Sequence, residues 1–341
     1  MEYTVTPHHK FHFNHGDVAI HSAPDSEGKA TAYRVNKAVL ALNSTVFADM
    51  FTLPDADGLH EMDDGVPVVV VTDSEEELSA LMQALYEPHT LFSCRFDPET
   101  PIRLTPVMKL ANKYEMDTIR ERAVEAVCRD WPETFEQWAR INAEIHSLID
   151  RTPEAAAAVR FARDFNIPSI LPAAYYALAH SDRNWHWDSR NVFGNQWRYV
   201  RYTRWELLDA IDYKVVLCLR SMLVGKLSNV VSQYTGETNS IPVGPLTVCP
   251  STHSESHATC ATGLAEILQR WKENELDLGS MLAEAEGPNP LGLLDQLHRM
   301  HTTAEMCGGC KTRLGRHITM YQIALWEQVV LMTETFQEEV Q

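Results

Sequence analysis

Positive charge is scarce in this chain. Lys and Arg number 29 against 47 Asp and Glu, giving a formal net charge of −18 at pH 7. Nucleic-acid binders neutralise phosphates with Lys and Arg, so this balance disfavours contact with DNA or RNA. Anionic membranes are disfavoured for the same reason. Long apolar runs are missing too. The most apolar stretch, residues 215–231, is broken by Arg220 and Lys226, charges rarely tolerated at the centre of a membrane span. Seven cysteines are an odd number spread thinly over 341 residues, which argues against a secreted disulfide scaffold. The opening MEYTVTPHHKF lacks the charged-apolar-small order of a secretory signal. A soluble protein of a reducing compartment, cytoplasmic or nuclear, is expected. Catalytic signatures are absent as well: no GxSxG elbow, GxxxxGK[ST] phosphate loop, GxGxxG turn or HExxH helix occurs. Abundant carboxylates such as Glu75-Glu76-Glu77 suit the positive end of a helix dipole. The expectation is a protein that is not an enzyme.

What is present suffices for real cores. A hydrophobic fraction of 45% over 341 residues points to two domains or one large one. In the first third, the alternation from Asp17 to Ser22 and again from Tyr33 to Lys37 reads as a hairpin with a long loop. From Ala38 the period becomes helical, with Val39, Leu42, Val46, Phe47 and Met50 on one stripe. Asn43-Ser44-Thr45 is a poor helix interior, so two short helices fit as well as one. Val66–Val71 reads as an apolar strand. Ser74 with Glu77 forms a capping box for a helix whose face is Leu78, Leu81, Met82 and Leu85. Helical patterns follow over Pro106–Tyr114 and over Ile119, Ala123, Val127 and Trp131. Everything beyond Pro132 reads as helical, broken by a polar loop over residues 235–258. Long helices are predicted over Arg204–Tyr234 and along Leu314, Ile318, Tyr321, Leu325, Val329 and Met332.

The ordered segments GDVAI, YRVNKAVLALNSTVFADMF, VPVVVV, ALYEP and VMKLANKYEMDTIRERAVEAV together resemble a BTB/POZ domain over about residues 11–131. The whole chain further resembles the BTB proteins abundant in mushroom-forming (basidiomycete) fungi, on a segment like FARDFNIPSILPAAYYAL and sparse C-terminal cysteines. The fold so implied is an α+β BTB/POZ domain, a small sheet with packed helices, at residues 1–131. A mostly α-helical domain follows at 132–341. The resemblance implies a protein–protein interaction adaptor or scaffold rather than a catalyst. Asp17 and Lys37 match a charged pair near the family's pocket, and a structural role for both is the alternative. Asn36 stands where the family usually has His. Little chain precedes residue 11, so self-association by the strand exchange of metazoan members is not expected, while a helix-face contact stays open. Some members recruit a cullin-type ubiquitin ligase through an apolar-x-Glu motif after the helix end, here Met50-Phe51 followed by Leu59-His60-Glu61. A solvated acidic loop with Asp55, Asp57, Asp63 and Asp64 is the alternative reading. A transcription regulator contacting DNA ranks last, for want of a basic run.

Cys249, His253, His257 and Cys260, followed by Cys307-Gly-Gly-Cys310, make the one metal-like constellation. Zinc prefers four Cys or His ligands, and a CxxC knuckle brings two thiolates to one ion. The ligands expected are Cys249, Cys260, Cys307 and Cys310, with His253 or His257 as alternates, and two glycines allowing the positive backbone angles of a tight turn. Such a site would be structural. Unrelated buried thiols are the competing account; a redox pair would want the motif after a strand in a βαβ pattern, which is lacking. Cys94, Cys128 and Cys218 read as packing residues. His8, His9, His12 and His15 would line up along a strand, but a solvated terminus is the simpler account. Trp185, Trp187, Trp197 and Trp205, mixed with Arg190, Arg198, Arg201 and Arg204, suit either an interaction surface or anchors for the second domain.

Overall fold

The computed structural model describes residues 3–53, 61–147, 153–181, 186, 203–235, 259–271, 273 and 289–338. Alternating and β-branched residues in the first hundred positions build a five-stranded mixed sheet: β1 (Thr4–His12), β2 (Val18–His21), β3 (Lys29–Val35), β4 (Met62–Asp63) and β5 (Val66–Val70). The spatial order is β1-β3-β2-β5-β4. β2 and β3 form the expected antiparallel hairpin, with Val18 opposite Val35 and His21 opposite Ala32. β5 runs parallel to β2, and β1 parallel to β3. The sheet's centre is apolar on both faces, since all four residues of β2 are buried, as befits a strand with helices to cover it.

Those helices are α1 (Lys37–Asn43), α2 (Thr45–Thr52), α3 (Glu75–Tyr86), α4 (Pro88–Phe92), α5 (Thr100–Lys113) and α6 (Asp117–Cys128). Ser44 divides the first pair. Its backbone is extended, and its Oγ accepts the Phe47 N–H at 3.0 Å as the cap of α2 while donating to the Tyr114 carbonyl at 2.5 Å. The break rotates the anticipated stripe: Leu40 and Phe47 are buried, whereas Leu42 is 86% exposed. The Ser74–Glu77 capping box is present at the start of α3. α5 begins six residues before the expected Pro106, which lies inside the helix; Pro lacks an N–H and is best tolerated in a first helical turn, which is why sequence alone places the start there. α6 ends at Cys128, so Trp131 does not share its stripe.

The chain divides into two units, Met1–Asp130 and Trp131–Gln341. The second is mostly helical. It comprises α7 (Phe135–Ser147), α8 (Ala155–Asp164), α9 (Leu171–His180), α10 (Ala210–Thr235), α11 (residues 259–271), α12 (Pro290–Met300) and α13 (Gly308–Glu338). Every residue of α9 is buried. α8, α9 and α10 are tied together by charge: Arg163 Nη1 donates to Asp212 at 2.7 Å and to Asp209 at 2.8 Å, and the Tyr175 hydroxyl donates to Asp212 at 2.6 Å. Asp209 accepts the Ile211 and Asp212 N–H groups, so α10 starts at Ala210 rather than at Arg204. Tyr176 and Asn289 join α9 to the start of α12, hydroxyl to Oδ1 at 2.6 Å. The stripe expected along the last helix is realised, with Leu314, Ile318, Leu325 and Val329 buried. Among the described residues, no helix is long and apolar enough to cross a membrane.

Candidate functional site

Two groups of side chains carry the functional reading, one in each unit. In the first, the residues singled out from sequence lie around the start of α1 and the end of α2. Asp17, just ahead of β2, is exposed; its Oδ1 accepts the backbone N–H of Lys37 at 2.7 Å. That bond supplies an acceptor at the start of α1, where Asn36 gives no side-chain cap. The Lys37 ammonium instead lies 5.6 Å from the centre of the Phe51 ring, a cation–π contact near the end of α2. Phe51 stacks on Phe47, which stacks on Tyr114, so the charged contact is continuous with the core.

Around this point apolar side chains are left in solvent. Leu42 at the end of α1 and Leu53 after α2 are 86% and 71% exposed. Leu59 falls outside the described residues. Glu61 is exposed, and its carbonyl accepts the Val68 N–H at 2.8 Å, extending the β4–β5 ladder. Asp63 ends β4 and the exposed Asp64 begins the turn that follows it. Asp64 and Gly65 have positive φ, 47° and 79°, and turn β4 into β5 as a tight hairpin. Asp63 holds His21 Nε2 at 3.1 Å, and Asp64 holds Arg34 at 3.0 Å.

Behind this surface sits a buried polar knot that sequence reading missed. Asp73 accepts hydrogen bonds from the Lys113 ammonium and the Tyr114 hydroxyl. Burial, with Asp73 adding to it, pushes the Tyr114 phenol well above its ordinary range. Tyr33 donates to the Glu75 carbonyl at 2.9 Å and is held to Ser79 at 2.7 Å; burial raises its phenol to about 12. Neither phenol ionises near neutral pH, so both act as donors that lock α3 and α5 onto the sheet.

In the second unit, Cys260, Cys307 and Cys310 come together, their sulfurs all within 4.8 Å of one another. Cys260 and Cys310 are buried and Cys307 half-buried. Cys249, His253 and His257 lie outside the described residues. The anticipated tight turn is replaced by a helix start. Neither Gly308 nor Gly309 has a positive φ, and both belong to the first turn of α13. Cys307 is the residue before that helix; its sulfur accepts the Cys310 N–H at 3.4 Å, and the Cys260 sulfur accepts the Cys307 N–H at 3.2 Å. Of the tryptophan–arginine group only Arg204 and Trp205 are described. Trp205 is buried, and Arg204 lies 3.6 Å from the buried Glu154, so both serve the unit's interior.

Residues 16–130 match the family model described as BTB/POZ domain, and the first unit carries that domain: a small sheet with packed helices. β1 precedes the matched segment. A comparison with curated proteins gives no match.

Proposed function

We propose that this protein is a non-enzymatic adaptor that grips another polypeptide through its BTB/POZ domain and presents the helical unit to a second partner, in the cytoplasm or nucleus. What supports the reading is the domain at residues 16–130, since BTB domains are interaction modules rather than enzymes. The exposed Leu42 and Leu53 beside the Lys37–Phe51 contact offer the apolar and cationic groups that such a face needs. The proposal includes the wider likeness to BTB proteins of mushroom-forming fungi, and a structural metal in the helical unit.

The test is affinity capture with the full chain, repeated with Leu42→Asp and Leu53→Asp together and with Lys37→Glu. All three side chains reach solvent, so the fold survives. Loss of a reproducible partner in these variants is the expected result; a set of partners left wholly unchanged by these substitutions and by removal of residues 1–130 would end the reading. Light scattering on the same proteins reports self-association. A finer form, a substrate receptor for a cullin-type ubiquitin ligase, predicts that a cullin is captured and then lost on Leu59→Ala or Glu61→Ala.

A further inference from the structure

We infer that Cys260, Cys307 and Cys310 supply three thiolate ligands to one zinc ion, which staples α11 to the N-terminal end of α13. The inference is independent of what the BTB domain binds. Three observations carry it, beginning with distance. Sulfurs bound to one tetrahedral zinc at ~2.3 Å stand about 3.8 Å apart; these three lie within 4.8 Å of each other, so a side-chain adjustment of about an ångström closes the site.

The second observation is how the sulfurs are supported. Thiolates carry negative charge, and each backbone N–H aimed at a sulfur stabilises it. The Cys310 N–H points at the Cys307 sulfur and the Cys307 N–H at the Cys260 sulfur. Cys307 precedes the first turn of α13, Cys310 lies in it, and Cys260 lies in α11. The N-terminus of α13 therefore faces the cluster, and its dipole favours anions. Thiolate donors suit zinc, whereas calcium and magnesium require oxygen.

The third is the backbone around the cluster. Gly263, one turn beyond Cys260, sits so close to the chain before Cys307 that a Cβ there would lie 2.2 Å from the Glu305 carbonyl oxygen. Only glycine permits this approach, and it is the approach that brings Cys260 to the CxxC pair. On its outer side the cluster borders a pocket lined by Thr303, Glu305 and Lys311. A fourth donor can enter from there, and Lys311 offsets the net negative charge of three thiolates on a divalent ion. The two buried sulfurs, with no strand preceding the motif among the described residues, fit a structural site better than a redox one.

The test uses the full chain purified under reducing conditions without chelator. Elemental analysis is expected to find about one zinc per chain. After stripping, cobalt(II) alone added to the protein is expected to give the near-ultraviolet sulfur-to-cobalt band and the visible bands of a tetrahedral thiolate site. Zinc then displaces it. Each of Cys260→Ser, Cys307→Ser and Cys310→Ser is expected to weaken zinc by more than the roughly 100-fold upper end of what loss of an outer-shell group costs, while Cys94→Ser leaves it unchanged. If a serine variant fails to fold, the cobalt spectrum of the unaltered chain still decides. A zinc-free chain with no cobalt–thiolate band, iron in place of zinc, or zinc retained by the triple serine variant would each overturn the assignment.

Discussion

Burial pushes the His8 imidazole below its ordinary value of 6.5, helped by the neighbouring positive charge of His9 and Lys10 and opposed by Glu75. The ring is stacked between Phe11 at 5.1 Å and Tyr33 at 4.9 Å, and its Nδ1 accepts the N–H groups of Lys10 and Phe11. A proton on Nδ1 would remove that acceptor, so the folded state holds His8 neutral. Between the lowered folded value and 6.5 the unfolded chain binds more protons, so stability rises with pH across that window and is lost as pH falls through it. The melting temperature should therefore drop as pH falls below the ordinary imidazole value of 6.5, and His8→Gln should flatten part of the slope. His298 and His317, also lowered by burial, act with the same sign, while the carboxyls of Asp130 and Glu154, raised by burial, act with the opposite one. An unchanged slope in His8→Gln would show that β1 does not depend on the neutral ring. The sequence presented these histidines as a solvated cluster because residues 8–15 contain few apolar neighbours in alternation. Their partner Tyr33 lies on another strand, and no local pattern predicts a stack across a sheet. Lys37 shows the same limit: its proximity to Asp17 could be anticipated, but its ammonium's position over Phe51 depends on where α2 ends.

Elements were legible wherever local chemistry agreed with the final packing. The Ser74–Glu77 box, the β2–β3 alternation and the stripe of α13 all obey short-range rules. The Asp64-Gly65 hairpin obeyed one too, a two-residue turn signal, but its surrounding aspartates drew the reading towards an acidic loop. The α1–α2 break is the instructive case. Val39, Leu42, Val46, Phe47 and Met50 share a stripe only if the helix is continuous, and Ser44 interrupts it. With Ser44 as cap, Leu42 turns out to solvent and becomes available for binding. Ser44→Ala removes both the cap on Phe47 and the bond to the buried Tyr114 carbonyl, and should destabilise the first unit by about 2 kcal/mol. Denaturant unfolding followed by the tyrosines of that unit measures it; a loss under ~0.5 kcal/mol would mean that the break is held by the packing of Leu40 and Phe47 alone.

At the scale of the whole molecule, each unit has an interior of its own. The first is built on Ile20, Tyr33, Leu40, Phe47, Leu78 and Leu104, the second on Phe161, Leu219, Trp271, Leu294, Leu314 and Val329. The sequence showed the change from mixed to helical character near residue 131. It could not show that Gly263 lets α11 press against residue 305, since that depends on a backbone contact between segments forty residues apart. Cys260 and Cys307, expected as ligands of one ion, stand 47 residues apart in the chain, and folding makes them neighbours. The metal's influence should be confined accordingly. A zinc ion held by α11 and α13 closes a loop of 47 residues, and its removal releases that loop's entropy within the second unit. Hydrogen exchange on the full chain, before and after stripping with a chelator, should show amides of residues 259–271 and of the first turns of α13 losing protection more than about tenfold, while those of β2, β3 and α3 keep theirs. Equal loss in both units would mean that they unfold as one, and the BTB domain's grip on a partner would then depend on zinc; protection preserved in the first unit alone leaves docking and metal binding as separate properties of one chain.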